Sequence, residues 1–262
     1  ITLQTGETWT PESVGPDRFK RKNITLKTGL AHSINNLSAW LIQQFKPKAV
    51  IDITRLMGVK SHIPEVPSIA LGSADLSLYE MVSAYTTYAN KGIHTTPLFV
   101  THIEDKNGNE LASFKARKNE AISENAAYLM LNLLQNVVNE GTSIRLRYKY
   151  ELEGEIAGKT GTTNNQSDGW FMGVVPELVA GVWTGGEERS IHFDGISLGQ
   201  GANMALPVYG LFMQKVFADE ELHISPKDTF AVPENFYMDL DCGEKDGETT
   251  IDKETLNEEF FN

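Results

Sequence analysis

The spacing of apolar residues changes once along the chain, near Glu151, and this change restricts the folds that the chain can adopt. Before this point the apolar residues recur about every 3.6 positions, which predicts helices. After it, short apolar runs are separated by turn residues, which is typical of antiparallel strands. A helical block followed by a sheet with a covering helix predicts an α+β fold.

The first half is predicted to contain five helices, most of which end at a glycine, a proline or a polar break. They are expected at Leu26 to Leu30, Leu37 to Phe45, Ala49 to Met57, Ser77 to Lys91 and Glu124 to Asn139. The break between the first two falls at His32-Ser33, so this pair is expected to lie in a connection between helices.

The second half is predicted to form an antiparallel sheet covered by a helix. Strands are expected at Glu155 to Thr162, Trp170 to Val175, Leu178 to Trp183 and Ser190 to Phe193. Pro176-Glu177 would join the second and third of these in a tight turn. A helix from Ala202 to Phe217 has its apolar residues spaced for burial against one face of the sheet.

The charge of the chain is concentrated at its C-terminal end. The formal net charge is −12, which disfavours a nucleic acid partner. Residues 239–262 contain nine Asp or Glu and two Lys, so they carry −7 of this total. We therefore predict an irregular lead-in at residues 1–23, a domain at 24–217, and an acidic, disordered tail at 218–262.

Other features exclude several kinds of site. No apolar run approaches the length of about 18 to 20 residues that spans a bilayer. Cys242 is the only cysteine, so an intrachain disulfide is impossible. The six histidines lack the spacing typical of a metal site, so neither a metal nor a cofactor is expected.

Two glycine-containing segments match catalytic motifs only superficially. Gly154 to Thr160 has three residues between its glycines, where a phosphate loop has four, and no helix is predicted after it. Gly195 to Gly199 has the pattern of a hydrolase nucleophile elbow around Ser197. The only later histidine is His223, and the acidic residue Asp219 lies four positions before it. Too little chain remains after Ser197 for the other members of a catalytic triad. The first segment is rejected for its spacing and context, and the second for this lack of chain.

A third pattern combines Ser33-Ile34-Asn35 with Lys159-Thr160-Gly161-Thr162. Ser33 alone could cap the next helix, and Lys159 alone could be an exposed lysine on a strand. Together they would place a hydroxyl and an amide opposite an ammonium group and two further hydroxyls. A strand with a glycine at Gly161 could pair with an extended peptide, and its threonines could bind a terminal carboxylate. A backbone N–H of this strand could also face the oxyanion of an acyl transfer.

With these elements the chain resembles the transpeptidase domain of a penicillin-binding protein, and in particular that of the bifunctional class A cell-wall synthases. The superfamily has three motifs, S-x-x-K, S-D-N (or the looser S-x-N) and K-T-G. Residues 33–35 match the second motif and residues 159–161 the third. The resemblance covers most of residues 24–217. Further matching segments follow in the family's order: 24–27, 70–72, 78–81, 84–85, 89–92, 141–142, 157–164, 168–173 and 179–183.

The resemblance implies a serine β-lactamase/transpeptidase-like fold and a role for each matching residue. Ser33 would relay a proton to the leaving amine, and Lys159 would support Ser33 electrostatically. Asn35 would hold the amide of the substrate. Thr160 and Thr162 would bind the terminal carboxylate of a D-Ala-D-Ala stem peptide, or of a β-lactam that imitates it. The expected location is the outer face of the bacterial cytoplasmic membrane.

The first motif of the family does not occur in this chain. No serine is followed three positions later by a lysine, and at Ser113 the lysine Lys115 comes one position early. In the family, S-x-x-K lies several tens of residues before S-x-N, so the resemblance places it before Ile1. The parent protein would then be a serine-type D-Ala-D-Ala transpeptidase, and the chain alone is expected not to be acylated. Membrane anchoring is expected only through parent sequence outside this chain.

Two other hypotheses stay open. The chain could belong to a non-catalytic relative that keeps the peptide groove, or to a serine β-lactamase. The β-lactamase hypothesis requires a carboxylate that activates the deacylating water, and no loop of the sequence is seen to supply it. An S-x-x-K motif upstream in the gene would exclude the non-catalytic hypothesis.

Overall fold

The helices of the first half were located in a computed structural model of the chain, which describes residues 19, 23–238 and 240. They are α1 (Leu26–Ala31), α2 (Asn35–Leu56), α3 (Leu78–Ala89), α4 (Glu124–Asn139) and α5 (Arg145–Tyr148), with a 3-10 helix at Pro67–Leu71. The predicted positions of α1, α3 and α4 are confirmed. Within the described residues, no helix is both long enough and apolar enough to cross a membrane.

Helix α2 covers the two helices that the sequence predicts at 37–45 and 49–57. It is interrupted at Lys46, which has a φ of 70° and so leaves the helical conformation. Pro47 accounts for an interruption at this point, because its ring disfavours helical geometry for the residue before it and because it has no N–H to donate. The predicted break before Pro47 is therefore confirmed, and the two helical parts follow each other directly.

Four short strands lie between α3 and α4, and the sequence analysis missed all of them. They are β1 (Ile93–Thr95), β2 (His102–Glu104), β3 (Glu110–Ser113) and β4 (Lys118–Glu120). Strand β1 pairs with β4 and β2 pairs with β3, both antiparallel. Each strand has only three or four residues and most of these are exposed, so no alternating apolar pattern marks them.

The second half contains the predicted antiparallel sheet. Strands β5 (Ala157–Thr162), β6 (Asp168–Val175) and β7 (Leu178–Gly185) lie in the order β5-β6-β7, and a tight turn joins β6 to β7. In the described part of the chain, β5 is therefore an edge strand. Helices α6 (Ile196–Gly199), α7 (Gly201–Met204) and α8 (Leu206–Ala218) follow, with 3-10 helices at Asn164–Gln166 and Glu220–Leu222.

Helices cover both faces of this sheet, as expected for the predicted α+β fold. Phe171 and Val175 of β6 pack in a buried cluster with residues of α8, and the ring centroids of Phe171 and Tyr209 are 4.7 Å apart. On the other face, Val174 packs with residues of α4. A Cβ atom at Gly173 would lie 2.3 Å from the ring of Tyr209, so only glycine allows α8 to pack this closely.

Two predictions for the second half are wrong. Residues 190–193 do not form a strand but a loop, in which Ile191 is 61% exposed and Phe193 is 43% exposed. Apolar Ile191 and Phe193 flank polar His192 as in a half-buried strand, but neither apolar side chain is buried. The helix predicted at 202–217 is divided into α7 and α8, because Pro207 has no N–H with which to continue the hydrogen bonds of α7.

The packed chain continues beyond residue 217, where the sequence analysis placed the start of a disordered tail. Phe230 is buried in the cluster of α4 and β6, and its N–H donates to the Glu155 carboxylate over 2.7 Å. The rings of Tyr128 and Phe236 also meet edge to face at 5.0 Å. The boundary at residue 217 is therefore too early. The disorder predicted for residues 239–262 falls outside the described residues, apart from Leu240.

One carboxylate joins the loop after α2 to the start of α3. Glu80 accepts the hydroxyl of Ser61 at 2.6 Å and the backbone N–H groups of Lys60 and Ser61, each at 2.8 Å. It also forms a capping box with Ser77 at the first turn of α3. These hydrogen bonds, that of the Ser61 hydroxyl most of all, lower the pKa of Glu80 to about 2.

Glu80→Gln should destabilise the protein, because the neutral amide cannot accept all of these hydrogen bonds. We expect a loss of about 2 kcal/mol in the free energy of unfolding at about pH 7, measured by urea denaturation. The folded-state pKa lies below the ordinary value of 4.5, so the contribution of Glu80 is complete above pH 4.5 and is lost as the pH falls toward 2. The difference between wild type and variant should therefore shrink over this range. Glu177→Gln, in the exposed β6–β7 turn, should show no difference at any pH.

Candidate active site

Ser33 lies in a sharp connection between α1 and α2. The N–H of Ile34 donates to the carbonyl of Gly29 at 2.9 Å, and the N–H of Ser33 donates to the carbonyl of Leu30 at 3.2 Å. This pair of bonds is a Schellman motif, in which the residue at the position of Ser33 adopts a left-handed backbone. The φ of Ser33 is 50°, a conformation that glycine adopts more easily than serine.

The Ser33 side chain does not cap the following helix. The residue before α2 is Ile34, and no side chain caps this end of the helix. The alternative that Ser33 serves only as a helix cap is therefore wrong. The side chain instead meets β5, where the Lys159 ammonium donates to the Ser33 hydroxyl oxygen. The structure thus brings together two residues that lie 126 positions apart in the sequence.

Lys159 is held in a position where its charge is poorly solvated. Its ammonium group donates a second hydrogen bond to the carbonyl of Thr160 at 2.8 Å. Burial lowers the pKa of Lys159 to about 8, from an ordinary value of 10.5. A lysine with this pKa exchanges a proton near neutral pH far more readily than an exposed lysine does.

The two threonines of β5 are each fixed by a neighbouring group. The hydroxyl oxygen of Thr162 accepts the backbone N–H of Gly201 at 2.9 Å, so the hydroxyl proton can still be donated. The hydroxyl of Thr160 lies 2.9 Å from that of Thr142, in the segment after α4. Gly161 lies between them, in register with Trp170 of β6. The strand that carries Lys159 therefore also carries two hydroxyl groups that are each hydrogen-bonded to a neighbouring segment.

The remaining predicted residue, Asn35, is the first residue of α2 and lies two positions after Ser33. It is half-buried. Helix α4 packs against both α1 and β5, so it holds the Ser33 connection beside the strand that carries Lys159. All the residues that the sequence analysis singled out thus lie in the connection between α1 and α2, at the first residue of α2, or on β5.

The sequence analysis assigned no role to two groups that contact this site. Thr142 was part of a matching segment, but nothing in its spacing connected it with Thr160. The N–H of Gly201 is a backbone group, so no side-chain pattern could have indicated it. The left-handed backbone of Ser33 was also missed, because such a conformation is usually marked in a sequence by glycine or asparagine.

The two rejected motifs do not acquire the structural context that they require. Ser197 lies in the four-residue helix α6, and no strand precedes it, whereas a nucleophile elbow requires a strand, a turn and a helix. Gly154 to Thr160 leads into β5 and not into a helix, as a phosphate loop would. Across residues 23–238, no three His, Cys, Asp or Glu side chains are grouped so that they could hold a metal ion.

Comparisons with known proteins agree with the resemblance seen in the motifs. A family model described as the penicillin binding protein transpeptidase domain matches residues 4–185. Penicillin-binding protein 1A of Aquifex aeolicus is 31% identical over 228 residues, which cover 85% of this chain. Penicillin-binding protein 1B of Haemophilus influenzae is 30% identical over 244 residues, which cover 92% of this chain. In both cases the match covers 30% of the relative's length.

Solved structures show the same fold. Penicillin-binding protein 1A of Haemophilus influenzae superposes with a TM-score of 0.75 at 21% identity, over 89% of this chain and 39% of the other. PonA1 of Mycobacterium tuberculosis, determined in complex with penicillin V, superposes with a TM-score of 0.66 at 21% identity, over 80% of this chain and 59% of the other. The predicted transpeptidase-like fold class is therefore confirmed.

Lys159→Met should stabilise the protein at about pH 7, because methionine fills a similar volume without a charge to desolvate. The folded-state pKa of about 8 lies below the ordinary 10.5, so the cost of burying the charge is complete below pH 8 and disappears as the pH rises to 10.5. We expect the variant to gain about 1 to 2 kcal/mol at neutral pH and to lose this advantage in alkali. Urea denaturation at several pH values measures both effects.

The matched control is Lys106→Met, which removes an exposed lysine from the turn between β2 and β3. Its stability should follow that of the wild type at every pH. An advantage of Lys159→Met that persists above pH 10.5 would show that better packing, and not the loss of a buried charge, accounts for the gain.

Proposed function

Because this chain belongs to the penicillin-binding protein transpeptidase domain family, we propose that it forms the substrate-binding and proton-relay part of a peptidoglycan D,D-transpeptidase of class A. The observation that carries this proposal is the hydrogen bond from Lys159 to Ser33 beside the edge strand β5. The chain spans about 30% of the length of the relatives it matches, so the activity belongs to a longer parent protein. That protein would act on the outer face of the cytoplasmic membrane.

The substrate would be a stem peptide ending in D-Ala-D-Ala, paired with the edge of β5 that no strand occupies in the described part of the chain. An extended peptide can satisfy the backbone groups of an edge strand, as in other cases of strand addition. Its terminal carboxylate would accept hydrogen bonds from Thr160 and Thr162, whose hydroxyl oxygens are held in place by Thr142 and by the N–H of Gly201. Gly161 between them leaves room for the peptide backbone, and the Asn35 side chain would hold the amide of the substrate.

The reaction would be an acyl transfer from the peptide to a serine of the parent's S-x-x-K motif. The lysine of that motif would take the proton of the serine hydroxyl as the serine oxygen attacks the carbonyl of the penultimate D-Ala; the bond to the terminal D-Ala breaks, and an ester forms. The terminal D-Ala leaves as an amine and must gain a proton. Ser33 would pass this proton to the leaving nitrogen, and the Lys159 ammonium would replenish the Ser33 hydroxyl. An amine from a second stem peptide then attacks the ester, the bond to the serine oxygen breaks, and the serine leaves as a hydroxyl with the proton that the amine loses, which forms the cross-link.

A β-lactam would enter the same site as an imitation of D-Ala-D-Ala. Its carboxylate would take the place of the terminal carboxylate at Thr160 and Thr162. The determination of the related PonA1 structure with penicillin V supports this part of the proposal. In a β-lactam the leaving nitrogen remains tethered in the ring system, so the acyl-enzyme persists and can be detected as a labelled protein.

The test uses the full-length product of the gene that encodes this chain, treated with a fluorescent penicillin. We expect covalent labelling of the wild type, and labelling by Ser33→Ala that is at least about 100-fold slower, because the proton relay is lost. Ser197→Ala removes an exposed serine from the rejected motif and should be labelled at the wild-type rate.

Absence of labelling in the folded wild type would contradict the proposal and favour the non-catalytic relative. Rapid release of the label, with hydrolysis of the penicillin, would favour a serine β-lactamase.

A further inference from the structure

We propose that Thr142 is a positioning residue that orients the Thr160 hydroxyl toward the carboxylate of the substrate. This inference rests on the proposed function, in which Thr160 donates to that carboxylate. Thr142 lies outside the three motifs of the superfamily, in the segment between α4 and α5.

The backbone of Thr142 is fixed to the end of α1. Its N–H donates to the carbonyl of Ala31 at 3.0 Å, and Ala31 lies two positions before Ser33. The preceding residue, Gly141, allows this approach, because a Cβ atom there would lie only 2.2 Å from the same carbonyl oxygen. No other residue type fits at position 141 without moving α1 or the 141–142 segment.

The backbone of Thr142 is bound to α1, whereas its side chain contacts β5. Its hydroxyl oxygen lies 2.9 Å from that of Thr160, and both residues are half-buried. Thr142 is therefore hydrogen-bonded both to the helix that leads to Ser33 and to the strand that carries Lys159. A displacement of either segment would stretch one of these two bonds.

The direction of the hydrogen bond between the two hydroxyls decides what Thr160 can do. Each hydroxyl has one proton, and either oxygen can act as the donor in this pair. If Thr160 donates to Thr142, its proton is unavailable to a ligand. If Thr142 donates to Thr160, the Thr160 proton points away from Thr142 and can be donated to a carboxylate.

A ligand carboxylate accepts hydrogen bonds only, so it selects the second direction. The result is a chain of two hydrogen bonds, from Thr142 to Thr160 and from Thr160 to the carboxylate. In such a chain each bond polarises the next, so the Thr160 hydroxyl becomes a better donor. Thr142 would thus strengthen carboxylate binding without touching the ligand.

The test compares variants of the full-length protein by the rate at which benzylpenicillin acylates it. Thr142→Val keeps the branched shape and the backbone N–H but removes the hydroxyl, and Thr142→Ala does so without a branched side chain. We expect both to be acylated about tenfold more slowly than the wild type, which corresponds to the weakening of one hydrogen bond to a charged group. Thr142→Ser keeps the hydroxyl and should retain a rate within about twofold of wild type.

A double-mutant cycle shows whether Thr142 acts through Thr160. Thr142→Val should cause no further loss in a protein that already carries Thr160→Val, because the hydroxyl it orients is absent. If Thr142→Val and Thr160→Val slow acylation independently, so that the two fold-changes multiply in the double variant, the role of Thr142 is overturned. It is also overturned if the Thr142→Val protein is acylated at the wild-type rate, or if Thr142→Ser fails to restore the rate. A wild type that penicillin does not label at all would overturn the proposed function itself, so the two failures are distinguishable.

Discussion

The site depends on one hydrogen bond, from the Lys159 ammonium to the Ser33 hydroxyl, between groups that are far apart in the sequence. Ser33 ends a short helix, and Lys159 is one residue of an edge strand. The contact exists because α4 packs against both α1 and β5, and because the sheet is fixed from its other face by α8. The hydrophobic core therefore determines the distance between the Lys159 ammonium and the Ser33 hydroxyl.

This arrangement has an energetic cost at the site. The Lys159 charge is poorly solvated, and the Ser33 backbone occupies a region that disfavours side chains. Each feature opposes folding by an amount of the order of 1 kcal/mol or more. Both are compensated elsewhere, in the clusters around Phe171 and Val174. Strain of this kind at a functional site is expected where the surrounding structure holds the residues more firmly than their own preferences do.

The parts of the fold that the sequence predicts well are those with a long periodic pattern. Helix α4 was placed with its observed ends, and the β6–β7 pair was found from two apolar runs and a short turn. The pattern fails where elements are short and exposed, as in β1 to β4, or where exposed apolar residues alternate by chance, as at 190–193. It also fails beyond residue 217, where one buried phenylalanine, Phe230, attaches an otherwise polar segment to the core.

The candidate site, like the fold, could be predicted from the sequence only in part. The side chains of Ser33 and Lys159 were recognisable from their motifs, and the structure places them in contact. The groups that position the surrounding segments and the two threonines of β5 were not, because they act through the backbone or through a single hydroxyl. Gly141 approaches a carbonyl, Gly201 donates an N–H, and Thr142 touches Thr160 from another part of the chain. Such contacts depend on the three-dimensional packing and leave no periodic trace in the sequence.

The left-handed backbone at Ser33 also has an evolutionary consequence. Here the backbone favours glycine, so replacement of the serine by glycine would relax the connection while it removes the side chain that contacts Lys159. Selection for activity and selection for stability therefore act in opposite directions at this position. If Ser33 has the proposed role, lineages released from that role would gain stability by drifting to glycine at this position.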